Sequence, residues 1–215
     1  MEQHMSISLA GEAALAALES RNATREAALV LSRALIRQCA NTIRAIHRHN
    51  WEEADQLGTT TRTSAASLRE QLAPFPGLYH TGYVQDALKE YAEARLLLAL
   101  VRDLPVPTHV ELEIEPAAYL NGLAEAASEL RRYLLDSLRA GSDAERGAEH
   151  ERLLGRMDEI YSLLVTVDYP DALTGGLRRT TDALRAVLER TRGDLTTSVQ
   201  QQALLDALRH GLQHV

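Results

Sequence analysis

Apolar residues recur along this chain at intervals of three and four almost without interruption, the period of a helix face turned toward a core. Clusters of β-branched residues are few and hairpin signals are absent, while Ala, Leu, Glu and Arg dominate. The breaks in the period divide the chain. A first helix runs from about Leu9 to Arg48, with a candidate interruption near Ser20–Asn22. Asn50 caps a second, from Trp51 to about Leu72. Pro74-Phe75-Pro76-Gly77 separates it from a third, near Thr81 to Asp103, and residues 104–108 read as a loop. Pro116 suits the first turn of a fourth helix, which reaches about Arg139 and stops at Ala140-Gly141. Ser142-x-x-Glu145 is a capping box for a fifth, ending near Thr166. After Tyr169-Pro170, a sixth runs from about Leu173 to Thr191 with Gly193 as its stop. Thr197 or Ser198 caps a seventh that nearly reaches Val215. Short links and no repeat period predict an all-α antiparallel bundle of seven helices, one domain over 1–215.

The first helix is sharply amphipathic. Ala28, Leu31, Leu35, Cys39, Ile43 and Ile46 share one stripe, and Arg33, Arg37, Arg44 and Arg48 share the opposite side within an arc of about 60°. No acidic residue occurs between Ala27 and Trp51. The ordinary reading of such a row is a solvated face. Without carboxylate partners on its own helix, this one is equally suited to phosphates or to a partner's acids.

Two helices carry pairs of acids. Glu90 and Glu93 are three apart, Glu125 and Glu129 four apart, so each pair sits on one helix face a turn apart. Like charges held that close repel unless a cation, a shared proton or solvent relieves them. Taken singly, each pair reads as a solvated surface feature. Against that, Leu96, Leu97 and Leu98 make the third helix apolar nearly all round just beyond Glu93. Gly122 lies three residues before Glu125; a mid-helix glycine costs about 1 kcal/mol relative to alanine, and it marks close approach of another helix or a ligand. If the two helices face each other, four carboxylates form an oxygen-rich pocket suited to a hard divalent cation.

Composition narrows the field. At 215 residues and 45% apolar content the chain can bury one large core, and no apolar run approaches the roughly 18 residues of a bilayer span. The N-terminus carries Glu2 and Glu12 and reads as no signal peptide, with Met5 a second candidate start. Cys39 is the single cysteine, which excludes a disulfide framework; its place in the apolar stripe predicts a buried, inert thiol. These features predict a cytoplasmic protein. The net charge of −7 argues mildly against wholesale nucleic-acid binding, yet the bases are arginines apart from Lys89. His210 and His214 share a face, but no HExxH or third ligand accompanies them. His80, between Tyr79 and Tyr83, can stack on unpaired bases or staple the start of the third helix. Phosphate loops and nucleophile elbows are absent.

From about Arg25 to Arg209 the chain resembles the translin family, whose members are translin and translin-associated factor X. The resemblance rests on EAALVLSRALIRQCANTIRAIHR, TGYVQDALKEYAEA, YLNGLAEAASELRR and LRRTTDALRAVLERTRGDL in combination. It implies an all-α fold of seven helices and hollow, usually octameric shells that bind single-stranded RNA or DNA inside. Factor X is the branch with Mg²⁺-dependent endoribonuclease activity, through Glu-x-x-Glu on one helix and Asp-x-x-x-Glu in a Tyr-Leu-x-Gly helix. Glu90, Glu93, Glu125 and Glu129 match that pattern, after Tyr119-Leu120-Asn121-Gly122, with Glu125 where the family has Asp. The longer side chain changes reach and ion preference. The resemblance therefore implies four catalytic, Mg²⁺- or Mn²⁺-holding glutamates. Beside it, the residues themselves make Arg33, Arg37, Arg44 and Arg48 the candidates for phosphate contacts, with Tyr79, His80 and Tyr83 as weaker candidates for base contacts. The alternatives are a non-catalytic single-stranded RNA/DNA-binding oligomer, a ferritin-like di-metal oxidoreductase, which lacks its Glu-x-x-His pairs here, and a scaffold for an acidic partner.

Overall fold

The structure, a computed structural model, describes residues 7–139 and 144–212. Its elements are α1 (Ile7–His47), α2 (Trp51–Leu72), α3 (Pro76–Tyr79), α4 (Gly82–Val101), α5 (His109–Leu112), α6 (Pro116–Arg139), α7 (Ala144–Leu164), α8 (Asp171–Thr174) and α9 (Leu177–Leu212). Among the described residues there is no strand, and no helix is long and apolar enough to cross a membrane. The Ala140-Gly141 stop and the Ser142 cap lie outside the described residues, as do His4, Met5 and His214.

The all-α expectation holds, but the helix count changes. Among the described residues, six long helices and three single-turn segments stand where seven helices were expected. The expected sixth and seventh helices are one, because α9 runs through Gly193 without a break. A glycine ends a helix when it turns left-handed, and Gly193 keeps a negative φ. Its neighbours are tied to α6: the Arg131 guanidinium donates to the Thr191 hydroxyl at 3.3 Å and pairs with Asp194 at 2.8 Å, while Leu195 is buried. Tertiary anchoring on both sides outweighs the modest helix penalty of one glycine. Likewise α1 passes through Ser20–Asn22 unbroken.

Several local expectations agree with the structure. The Asn50 side chain accepts from the Glu53 N–H at 3.4 Å to cap α2, and Pro116 opens α6. Residues 104–108 form the expected loop, and the single-turn α5 that follows it, on which the sequence reading is silent, has its own capping box between Thr108 and Glu111. Gly175 ends α8 at φ 62°.

Helix α4 is the centre of the bundle. It packs against α1 and α2 on one side and α6 on the other; α6 in turn packs on α7 and α9. Its buried residues include Val84, Leu88, Tyr91, Leu96, Leu97 and Leu100, so it presents apolar surface almost all round. Glu93 is the charged residue on α4 that is buried with them. The α1 stripe is buried as its periodicity requires, with Ala28, Leu35, Cys39 and Ile46 fully enclosed.

Candidate functional site

The crossing of α4 and α6 is set by Gly122. A Cβ at that position would lie 2.7 Å from Ala92 Cβ, 2.8 Å from the Lys89 carbonyl oxygen and 3.1 Å from the Glu93 nitrogen. Two of those neighbours are backbone atoms that cannot give way, so only glycine lets the helices meet here. Glu125 follows nearly a turn later on α6, opposite Lys89 and Glu90. The ligand atoms of Glu90, Glu93 and Glu125 all lie within 4.8 Å of one another. No other three such donors come as close among the described residues.

This seam is partly dehydrated and crowded with like charge. Burial pushes the Glu93 carboxyl up to about 8, and the charges of Glu90, Glu125 and Glu129 act the same way. Glu90 is also raised, chiefly by burial. The cation that relieves them is Lys89. Its ammonium lies 2.8 Å from Glu125 and 3.5 Å from Glu90, with the side chain 23% exposed. Burial works to lower the Lys89 pKa, but the hydrogen bond and charge of Glu125, then the charges of Glu90 and Asp86, leave it raised.

The fourth glutamate has a different partner. Glu129 Oε2 lies 2.6 Å from Nε2 of His47, whose side chain is only 3% exposed. That hydrogen bond, more than any other influence, holds the Glu129 carboxyl below its ordinary range. Nδ1 of His47 is buried without a hydrogen-bond partner. Glu129 is outside the group of three, yet close enough for its charge to act on Glu93.

The donor set suits a hard cation. Oxygens sharing Mg²⁺ at about 2.1 Å are at most about 4.2 Å apart, and those around Ca²⁺ at about 2.4 Å at most about 4.8 Å. Oxygens within 4.8 Å therefore need only small rotations to share either ion. A cluster with a protonated member and an ammonium bridge already displays the charge excess that a divalent ion would neutralise.

Beside the seam is a cleft of about 610 Å³ between α4, α6 and the α8–α9 turn, lined by His80, Gln85, Asp86, Lys89, Glu125 and Arg179 among others. His80 is exposed in it, its ring edge-on to Tyr79 with centroids 4.9 Å apart. Tyr79 and Tyr83 are half-buried, and the Tyr83 hydroxyl is enclosed without a partner. Arg33, Arg37, Arg44 and Arg48 are all exposed, on the side of α1 turned away from its buried stripe. Arg44 bonds to Asn41, and Arg48 approaches Glu53 at 3.8 Å. The structure thus brings together Glu90, Glu93 and Glu125, places Glu129 beside them, and leaves the arginine row on a separate surface.

Two participants escaped the sequence reading. Lys89 had a signal in being the lone lysine, directly before Glu90. His47 had none, because its partner is 82 residues away. Cys39 is fully buried as expected; burial raises its thiol pKa, with Glu90 and Glu93 adding to the effect, so α1 covers the seam from that side.

Fold and seam define a class: an all-α bundle whose central helix pair crosses at a glycine and carries a carboxylate cluster there. No family model matches the chain. An uncharacterised protein of Methanocaldococcus jannaschii is 32% identical over 195 residues, covering 89% of this chain and 84% of that protein. Among solved structures, the crystal structure of AfC3PO is similar at TM-score 0.81 and 30% identity over 89% of this chain and 98% of that one. An AfC3PO–duplex RNA complex gives TM-score 0.77 and 31% identity over 89% and 97%. Apo-NeC3PO, at TM-score 0.76 and 18% identity over 90% and 98%, shares the fold. The chain belongs to the C3PO/translin family.

Proposed function

We propose that this chain forms a cytoplasmic homo-oligomeric, Mg²⁺- or Mn²⁺-dependent endoribonuclease acting on single-stranded RNA, of the factor X branch. The observation that carries the reading is the convergence of Glu90, Glu93 and Glu125 at the glycine crossing, with Glu129 alongside. These carboxylates would hold the ion, and Glu93 would release its proton to do so. When bound, the cation supplies Lewis-acid polarisation of the scissile phosphate and activation of water. Glu129, kept ionised by its hydrogen bond to His47, would add a fourth carboxylate donor beside the other three.

RNA is the proposed substrate because a family neighbour, AfC3PO, forms a complex with duplex RNA and because α1 presents an exposed arginine row with no acidic residue among those arginines on its own helix. Arg33, Arg37, Arg44 and Arg48 would track phosphates, with Tyr79, His80 and Tyr83 contributing base contacts. Such contacts carry little base information, so sequence specificity is expected to be low. Oligomerisation is supported by apolar residues left exposed on the N-terminal part of α1 (Leu15 and Leu18) and the C-terminal part of α9 (Val199, Leu204 and Leu208); eight subunits is the count we propose.

The test is a labelled single-stranded RNA and its duplex, each incubated with Mg²⁺, Mn²⁺ or chelator. Metal-dependent internal cleavage of the single strand, absent in Glu93→Gln, is expected. Cleavage no greater than that of the variant removes the enzyme reading. A non-catalytic single-stranded RNA/DNA-binding oligomer is the second reading, favoured by the Lys89 ammonium that already bridges two of the carboxylates. Salt-sensitive binding without cleavage would establish it.

A further inference from the structure

Lys89 occupies an unusual position for a surface-type side chain. Its ammonium bridges Glu125 at 2.8 Å and Glu90 at 3.5 Å, and Lys89 also borders the 610 Å³ cleft, whose lining includes His80 and Arg179 together with the carboxylates Glu115 and Glu125. A flexible four-carbon stem can carry the charge between those two environments, as a planar guanidinium held bidentately cannot. Asp86, three residues earlier on α4, borders the same cleft and lies within electrostatic reach of the ammonium.

An ammonium and a divalent cation cannot share the same carboxylate oxygens. In the absence of an ion, the Lys89 contact offsets the repulsion among Glu90, Glu93 and Glu125. Once an ion is bound, that contact becomes a repulsion, and the cleft is the adjacent space into which Lys89 can turn. We propose that Lys89 is a tethered counter-cation, one that holds the carboxylate seam closed until a divalent ion displaces it and then offers its charge to an RNA phosphate in the neighbouring cleft. This role rests on the metal-site reading above. It differs from a ligand's role, in that removing Lys89 strengthens ion binding while weakening contact with RNA.

Mn²⁺ titration calorimetry on the native chain, Lys89→Met and Lys89→Arg tests this. Lys89→Met is expected to bind Mn²⁺ about tenfold tighter, since a competing charge a few ångströms away is removed. Lys89→Arg, which keeps the charge, is expected to bind no tighter than the native chain. Affinity for a phosphorothioate single-stranded RNA should fall severalfold in Lys89→Met when Mn²⁺ is present and stay unchanged in chelator. A substitution that merely damages the fold would weaken ion binding, so tightening is a signature that structural damage does not produce. Lys89→Gln provides a second neutral variant. If both neutral variants retain native helicity and bind Mn²⁺ equally or more weakly than the native chain, the proposal is overturned. Failure of the metal reading is a separate result, namely no Mn²⁺ binding by the native chain, and it overturns both.

Discussion

The two charged regions of this molecule, the α1 arginine row and the α4/α6 glutamate seam, are built on opposite principles. The arginines stand on the outer face of their helix, exposed to solvent, with few partners. Each can be removed with little consequence for folding, because exposed charge contributes little to stability. The glutamates are drawn together at a crossing where the helix backbones touch, and one of them is pushed up to about 8. Holding them there opposes folding. The difference teaches where a single structure is most informative: a hydrated charged face is compatible with many roles, whereas a partly dehydrated cluster of like charges costs stability and so points to a functional site.

The sharpest way to break the comparison is Glu93→Gln. RNA cleavage is expected to fall more than about 100-fold, since a proposed ion ligand is lost. Stability should move the other way. The folded chain holds the Glu93 proton more tightly than the unfolded chain, so the favourable contribution is complete below the ordinary value of 4.5 and is lost as pH rises through about 8. Glu93→Gln removes that slope, and chemical denaturation above pH 8 without metal should find the variant more stable by on the order of a few kcal/mol. Equal stability at every pH would show that the seam is not strained.

Gly122→Ala attacks the crossing itself. The added methyl would lie 2.8 Å from the Lys89 carbonyl oxygen, which forces α6 away from α4. Urea denaturation should show a loss of about 1–3 kcal/mol, and Mn²⁺ affinity should drop together with it. Unaltered ion binding in a destabilised variant would separate the crossing from the site.

His47→Leu leaves Glu129 without its 2.6 Å partner. Because that partner depresses the Glu129 pKa, their pairing contributes stability above the ordinary carboxylate range that is lost as pH falls through the depressed value. Equilibrium unfolding at pH 7 should show about 1–3 kcal/mol of destabilisation from the orphaned carboxylate. His47→Gln, which keeps a donor, should recover part of the loss.

The smallest effect on folding is expected from Arg37→Ala combined with Arg44→Ala. Stability should stay within about 0.5 kcal/mol per site. Affinity for single-stranded RNA should weaken, with the salt slope reduced by about 1.4 if each arginine meets one phosphate. An unchanged slope would move RNA recognition off the α1 face.

Much of the architecture was legible from the sequence, because helix faces are local. The α1 stripe, the Asn50 cap, the Pro116 start and the enclosed second half of α4 all follow from residues within a turn or two of one another. Gly193 misled because its local propensity was overruled by the Arg131 contacts to Thr191 and Asp194, made from another helix. The same limit applied to the site. Spacing placed Glu90 with Glu93, and Glu125 with Glu129, on their own faces, and Gly122 announced a close approach without naming what approached.

The sequence by itself determined which residues share a face, since the 3.6-residue period is a property of the backbone. Only the tertiary structure decided which faces meet. It set α6 against α4 at Gly122, gathered three glutamates around Lys89, and gave the fourth to a histidine 82 residues away. The physical reason is that contact between helices depends on backbone clearance and burial summed over the whole core, which no window of the sequence contains.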